Sequence, residues 1–347
     1  MASRRRKLLL GVGLGCATLL ILGISGCIGF AVWISRPGEL LEPERLLAGD
    51  ALAYAEWTLR AEDDGTREFI EALFEKTRRV AHDRPSWMPN WLAATIAGRQ
   101  QRNERQIRQV LPMVAAWTLR PGADRGTDGH LWMFSMENLG NRLTLADWFL
   151  GLLMGRNPGA EVVAYRDEKL FRVRDGDSDV TFFLRGTDLF VATELDQARY
   201  AVDRLADVTS GDVTGGDGAG RLGALYASLP AAASLRGVIL NDEGRLMRIW
   251  DAISRDDADL GSAEQWDAIR SVTVHGGLAA NRSFTARLEF LCRDETWARE
   301  HAKPLVARLR SGLRFGHMKY ETDVMTEGDR IRIDFRVPDV PAQLDSF

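Results

Sequence analysis

Leu8 to Ile34 is a run of 27 residues without a charged side chain. As a helix it would extend about 40 Å, more than the roughly 30 Å hydrocarbon core of a bilayer. Arg4, Arg5, Arg6 and Lys7 precede it, and Arg36-Pro37-Gly38 close it. Basic residues flanking such a run stay on the cytoplasmic side. The expectation is a single-pass signal anchor in the inner (cytoplasmic) membrane. It places residues 1–7 in the cytoplasm, 8–34 in the bilayer, and the body on the periplasmic or extracellular side. A cleaved signal peptide fits less well, because its apolar region is shorter, about 7–15 residues. Ile24-Ser25-Gly26-Cys27 matches a lipobox and marks Cys27 as a lipidation candidate. The apolar residues from Ile28 to Ile34 instead continue a spanning helix, which leaves lipidation as the minor reading. Gly11-x-x-x-Gly15 is a small-residue pattern of the kind that packs two such helices, although glycine is common in them anyway.

The body after this run carries a net charge of about −8, which argues against general nucleic-acid binding. Its single cysteine, Cys292, rules out an internal disulfide and a cysteine-based zinc cluster. The body must therefore be held by its core.

Twelve short segments read as strands. The clearest is Phe284–Cys292, where Phe284, Ala286, Leu288, Phe290 and Cys292 alternate with Thr285, Arg287 and Glu289. A period of two with one apolar face fits antiparallel sheets better than a doubly wound parallel sheet. Gly186-Thr187 is expected to turn one strand back on the next. Ala198, Ala201, Val202 and Leu205 have helical spacing, and Asp294 is placed to cap a helix carrying Trp297, His301, Leu305 and Leu309. Residues 208–220 are rich in Gly, Asp, Thr and Ser and read as a flexible loop between two parts. Each part runs strands, helix, strands. The expected fold is α+β: an N-terminal transmembrane helix followed by two related modules of antiparallel sheet with packed helices. The modules span residues 48–207 and 221–347, after a linker over 35–47.

Leu46-Leu47-Ala48-Gly49-Asp50-Ala51, the strand and helix from Asp188-Leu189-Phe190-Val191-Ala192-Thr193 into Ala198–Leu205, and Leu229-Pro230-Ala231 carry a resemblance. Over residues 46–337 the body resembles a group of uncharacterised, membrane-anchored extracytoplasmic bacterial proteins. The resemblance implies location and architecture; it implies no activity.

Chemistry-bearing motifs are sparse. His82, His130, His275, His301 and His317 show no paired metal-binding spacing, and His301 reads as a core residue beside Trp297 and Leu305. There is no nucleophile elbow, no phosphate-binding loop and no cofactor fingerprint. Asp175, Asp177 and Asp179 alternate as calcium ligands do. The twelfth position of such a loop is Gly186, so a solvated turn is the better reading. Residues 76–110 hold eight basic side chains against two acidic ones, with Trp87, Met88 and Trp91 among them. Trp87, Trp91, Arg99, Arg102, Arg105 and Arg108 are candidates for contact with anionic lipid or a protein partner. The plainer alternative is a solvated helix face with core tryptophans. The functional expectation is a non-enzymatic binding or structural envelope module. The alternatives are an envelope hydrolase with an unrecognised site and a carrier of an apolar ligand.

Overall fold

The computed structural model describes residues 37–47, 49–60, 65–69, 111–121, 128–139, 146–147, 150–151, 154, 159–175, 178–210, 220–247, 249, 263–279, 283–312, 319–340 and 343. The run 8–34, Cys27, Asp177 and the basic stretch 76–110 lie outside these residues, as does 211–219 of the expected loop. Among the described residues no helix is long and apolar enough to cross a membrane.

All twelve strands form where alternation and turn residues place them, with ends shifted by a few residues. They are β1 Ala53–Leu59, β2 Met113–Pro121, β3 Asp128–Met136, β4 Ala160–Tyr165, β5 Glu168–Asp175 and β6 Ser178–Arg185. After them come β7 Asp188–Ala192, β8 Leu235–Leu240, β9 Ile269–Leu278, β10 Phe284–Cys292, β11 Glu321–Glu327 and β12 Arg330–Val337. The α-helices whose full span lies among the described residues are α1 Leu195–Ser210, α2 Gly220–Ala227, α3 Ala263–Asp267 and α4 Glu295–Gly312. The architecture is a mostly antiparallel sheet with a few packed helices.

Two separate sheets were expected; the strands instead form one, in the order β11-β12-β10-β9-β8-β1-β2-β3-β7-β6-β5-β4. The join is β1 against β8, antiparallel, from Ala53 opposite Ile239 to Trp57 opposite Leu235. On either side of this join the chain does the same thing. Three strands meander outward (β1-β2-β3 and β8-β9-β10), and the chain crosses to the far edge. It then returns until β7 pairs with β3 and β12 with β10. The final turn of each return holds a glycine at positive φ, Gly186 at 59° and Gly328 at 58°, a conformation that side chains with a Cβ rarely adopt.

The sheet has two faces, here called the front (Tyr54, Glu56) and the back (Ala53, Trp57). On the β1–β7 side α1 closes the front, and α2 extends that cover over β1 and β8, where Tyr54, Val238 and Leu240 are buried with Leu222 and Tyr226. Ala198, Ala201, Val202 and Leu205 of α1 pack on Leu131, Met133, Leu170, Phe183 and Phe190, all buried. Phe183 and Phe190 stack with centroids 4.5 Å apart, and burying each stabilises the fold by about 2–3 kcal/mol. On the β8–β12 side α4 closes the back. Trp297, Ala298, Leu305, Val306 and Leu309 pack on Val272, Phe290, Ile331 and Ile333. Asp294 caps α4 as its sequence suggests, accepting the Trp297 N–H at 2.8 Å, and that bond holds its carboxyl below the usual range.

Two further readings are corrected or refined. The stretch read as a linker, 35–47, is tied to the body from Gly38 onward. Gly38 donates to Glu137 O at 2.8 Å, Leu41 donates to Ser135 Oγ at 3.1 Å, and Leu46 and Leu47 are buried. The loop read as 208–220 begins later, because α1 runs to Ser210 and Gly220 already opens α2. The core readings of His301 and Cys292 agree with their surroundings. His301 stacks on Trp297 at 4.4 Å, and burial pushes the Cys292 thiol up to about 12.

Candidate functional site

The register of the sheet brings six ionisable residues into one row across the front. Glu56 of β1 lies opposite Arg236 of β8, which lies opposite His275 of β9. His275 faces Arg287 of β10, Arg287 faces Asp334 of β12, and Asp334 faces Asp323 of β11. In the other direction the same row continues through Ala116, Met133, Phe190 and Phe183 and is wholly apolar. Polarity changes between β2 and β1, while the helical cover continues over β8, where Val238 and Leu240 are buried with Leu222 and Tyr226 of α2.

The inner end of the row is buried. Glu56 is 5% exposed and accepts hydrogen bonds from Tyr54 Oη at 2.8 Å and Arg236 Nε at 3.1 Å. A second Arg236 nitrogen pairs with the same carboxylate, and Glu44 lies 3.9 Å away. Arg236 also lies over the Tyr226 ring at 4.7 Å, and Tyr226 meets Tyr54 edge-on at 4.9 Å. Burial raises the Tyr54 and Tyr226 hydroxyls, and the Glu56 carboxylate adds to both shifts. The Tyr226 hydroxyl is enclosed and, among the described residues, makes no hydrogen bond that meets normal geometry. This buried pair is held by three partners, the condition under which an interior ion pair is tolerated.

The outer end is open. Arg287 clasps Asp334 with two hydrogen bonds, at 2.6 and 3.3 Å, and Arg332 approaches the same carboxylate at 3.5 Å. Arg330 pairs with Glu289, and Arg336 with Glu321 at 3.9 Å. The His275 pKa is lowered, first by burial and then by the neighbouring Arg287. His275, Thr285, Arg287, Glu321, Asp323, Asp334 and Arg336 line an open groove of about 520 Å³. Its floor is the backbone of β9 and β10. There Gly276 allows close approach, since a Cβ would come within 2.1 Å of Thr285 O. The arrangement is a broad surface with charges of both signs, in which Glu56, Asp334, Glu289 and Glu321 are each paired with an arginine. It is suited to matching a polar partner's charge pattern rather than to gathering a polyanion.

The aspartates read as a weak metal cluster lie elsewhere, in the β5–β6 hairpin. Asp179 is engaged by Arg172 at 2.8 Å, which lowers its pKa, and the side chains of Asp175 and Asp177 are outside the described residues. Among the described residues no group of three or more metal-ligating side chains converges. Trp87, Trp91, Arg99, Arg102, Arg105, Arg108 and Cys27 lie outside the described residues. Sequence reasoning missed the row itself. Its only local trace is the polar alternation of Thr285, Arg287 and Glu289 and of Arg332, Asp334 and Arg336.

A second polar group lies on the back of the β1–β7 side. Trp117 Nε1 donates to His130 Nδ1 at 3.2 Å, and Trp132 stacks on the imidazole with centroids 5.4 Å apart. Burial lowers the His130 pKa, against the opposing pull of Asp128 and Glu194. No family model, no curated protein and no solved structure shows a significant match to this chain.

Proposed function

We propose that this chain is a single-pass, membrane-tethered extracytoplasmic protein whose body binds a polar partner through the open front of β9–β12. The observation that carries the reading is the ion-paired row and the groove above it, a solvated face on a sheet whose other half is closed by helices. The tether rests on the charge-free run 8–34 and its basic flank. A body of two related modules is supported by the shared strand connectivity and by the matching turns at Gly186 and Gly328. Binding is favoured over hydrolysis because the Glu56 and Asp334 carboxylates of the row are engaged by arginines. A general acid or base needs a carboxyl or imidazole within reach of a substrate proton. Binding is also favoured over carriage of an apolar ligand. Two apolar-lined clefts against the cores hold only about 20 and 10 Å³, and a ligand pocket needs roughly 300 Å³ or more. The basic stretch 76–110 belongs to the same reading, as a further contact with anionic lipid or a protein partner; lipidation of Cys27 is the alternative form of the anchor.

The test is site-specific photo-crosslinking of the full chain in intact cells. Probes at Thr285 and Asp323 are expected to capture one and the same partner, and a probe at Arg199 on α1 is not. Capture equally strong from Arg199, or none from the two groove positions, would overturn the reading. Resistance of the full chain to alkaline extraction, lost on deleting 8–34, tests the tether separately.

A further inference from the structure

We infer that two copies of this chain pair edge to edge through β4, continuing the sheet across a twofold axis at Val162. The two ends of the sheet are β4 and β11, and each presents an unpaired strand edge among the described residues. Such an edge is a template for another strand unless it is guarded by charge, proline, a bulge or a cover.

The two edges differ in that guard. On β11, Glu321, Asp323 and Glu327 all project to the front. Self-pairing centred on Thr322, Asp323, Val324 or Met325 would in every case set two of these acids opposite each other, which is repulsive. β4 reads Ala160-Glu161-Val162-Val163-Ala164-Tyr165, with one acid and neither proline nor a register shift against β5. Val162 and Val180 are among the few large apolar side chains left exposed, at 40% and 36%. By register both lie on the back, on either side of β5.

The backbone of β4 is self-complementary. Arg174 N–H donates to Gly159 O, which makes that pair hydrogen-bonded and directs residues 161, 163 and 165 toward β5. The N–H and C=O groups of Ala160, Val162 and Ala164 therefore point outward. With the axis at Val162, Ala160 meets Ala164 of the second copy, and Val162 meets Val162. Every outward group finds a partner, and Glu161 falls opposite Val163 rather than another acid. The strand is also held in place for this contact. Tyr165 Oη bonds Asp203 of α1 at about 3 Å, and Val163 and Tyr165 pack on the core. Six-residue strands bury less than a standard interface of about 1,200–2,000 Å², so the pairing is expected to depend on concentration.

The experiment co-expresses the full chain with two different epitope tags and a photo-crosslinking residue at Ala164, and in a parallel strain at Met325 of β11. The expected result is a doubly tagged dimer from Ala164 and none from Met325. Val162→Pro removes the outward N–H and leaves the β5 ladder intact, so it is expected to cut the Ala164 adduct at least tenfold at equal protein level. A dimer adduct from Met325 alone, no adduct from Ala164, or one unchanged by Val162→Pro would overturn the inference. These results do not depend on which partner occupies the groove.

Discussion

The two sides of the sheet share a path and differ in what lies on their front. On the β1–β7 side the front carries Leu131, Met133, Phe183 and Phe190 beneath α1. On the β8–β12 side the corresponding front strands, β10, β12 and β11, carry Arg287, Glu289, Arg332, Asp334 and Asp323. The reason lies in where the covering helix enters the chain. α1 follows β7 and returns over the front, whereas α4 sits between β10 and β11 and crosses the back. Strand connectivity alone therefore does not determine which face becomes a core. The position of one helix does, and the strand side chains are chosen to match it.

Reciprocal substitution breaks this comparison most severely. Phe190→Arg places an unpaired cation at a fully buried position, and a loss of more than about 4 kcal/mol is expected, enough to abolish cooperative folding. Arg332→Phe on the other side of the sheet is expected to cost far less, about 1 kcal/mol, because its ion pair is only partly buried and Asp334 keeps Arg287. Denaturant unfolding of both variants checks this, and equal losses would mean that the two fronts are alike.

The join is the next most sensitive place. Arg236→Met leaves the buried Glu56 carboxylate without its cation, and about 3–5 kcal/mol should be lost. The double variant Glu56→Met with Arg236→Met should recover most of that loss, as a double-mutant cycle from unfolding curves would show. No recovery would indicate that the pair is not desolvated.

The histidines give the smallest effect. His130 and His275 are both held below the ordinary value of about 6.5, so the unfolded chain binds protons more readily. Their contribution to stability is complete above that value and is lost as pH falls from about 6.5 through the depressed folded values. Imidazole titration by NMR should show both below 6.5. A value above it for His130 would contradict the buried Trp117–His130–Trp132 stack.

Much of this fold is legible locally. Alternation locates β10 and β12, Gly186-Thr187 marks the β6–β7 turn, and Asp294 marks the start of α4, because each signal lies within a few residues of its effect. The β1–β8 join is not legible, since it pairs Ala53 with Ile239 and nothing near either residue specifies the other. The row is hidden for the same reason. It needs five registers to bring Glu56, Arg236, His275, Arg287, Asp334 and Asp323 into line. A lone acid in a strand, as Glu56 is, gives no sign that it will be buried. The tie of Gly38 to Glu137 is equally non-local, which is why that segment reads as a linker.

The most direct test of the half-closed front is carboxylate labelling of the native chain, read residue by residue by mass spectrometry. Glu321, Asp323 and Glu327 should label in the folded protein nearly as fast as after denaturation, while Glu56 should label only on unfolding. Rapid native labelling of Glu56, or protection of Glu321 and Asp323, would contradict a sheet whose front is closed as far as β8 and open over β10, β12 and β11.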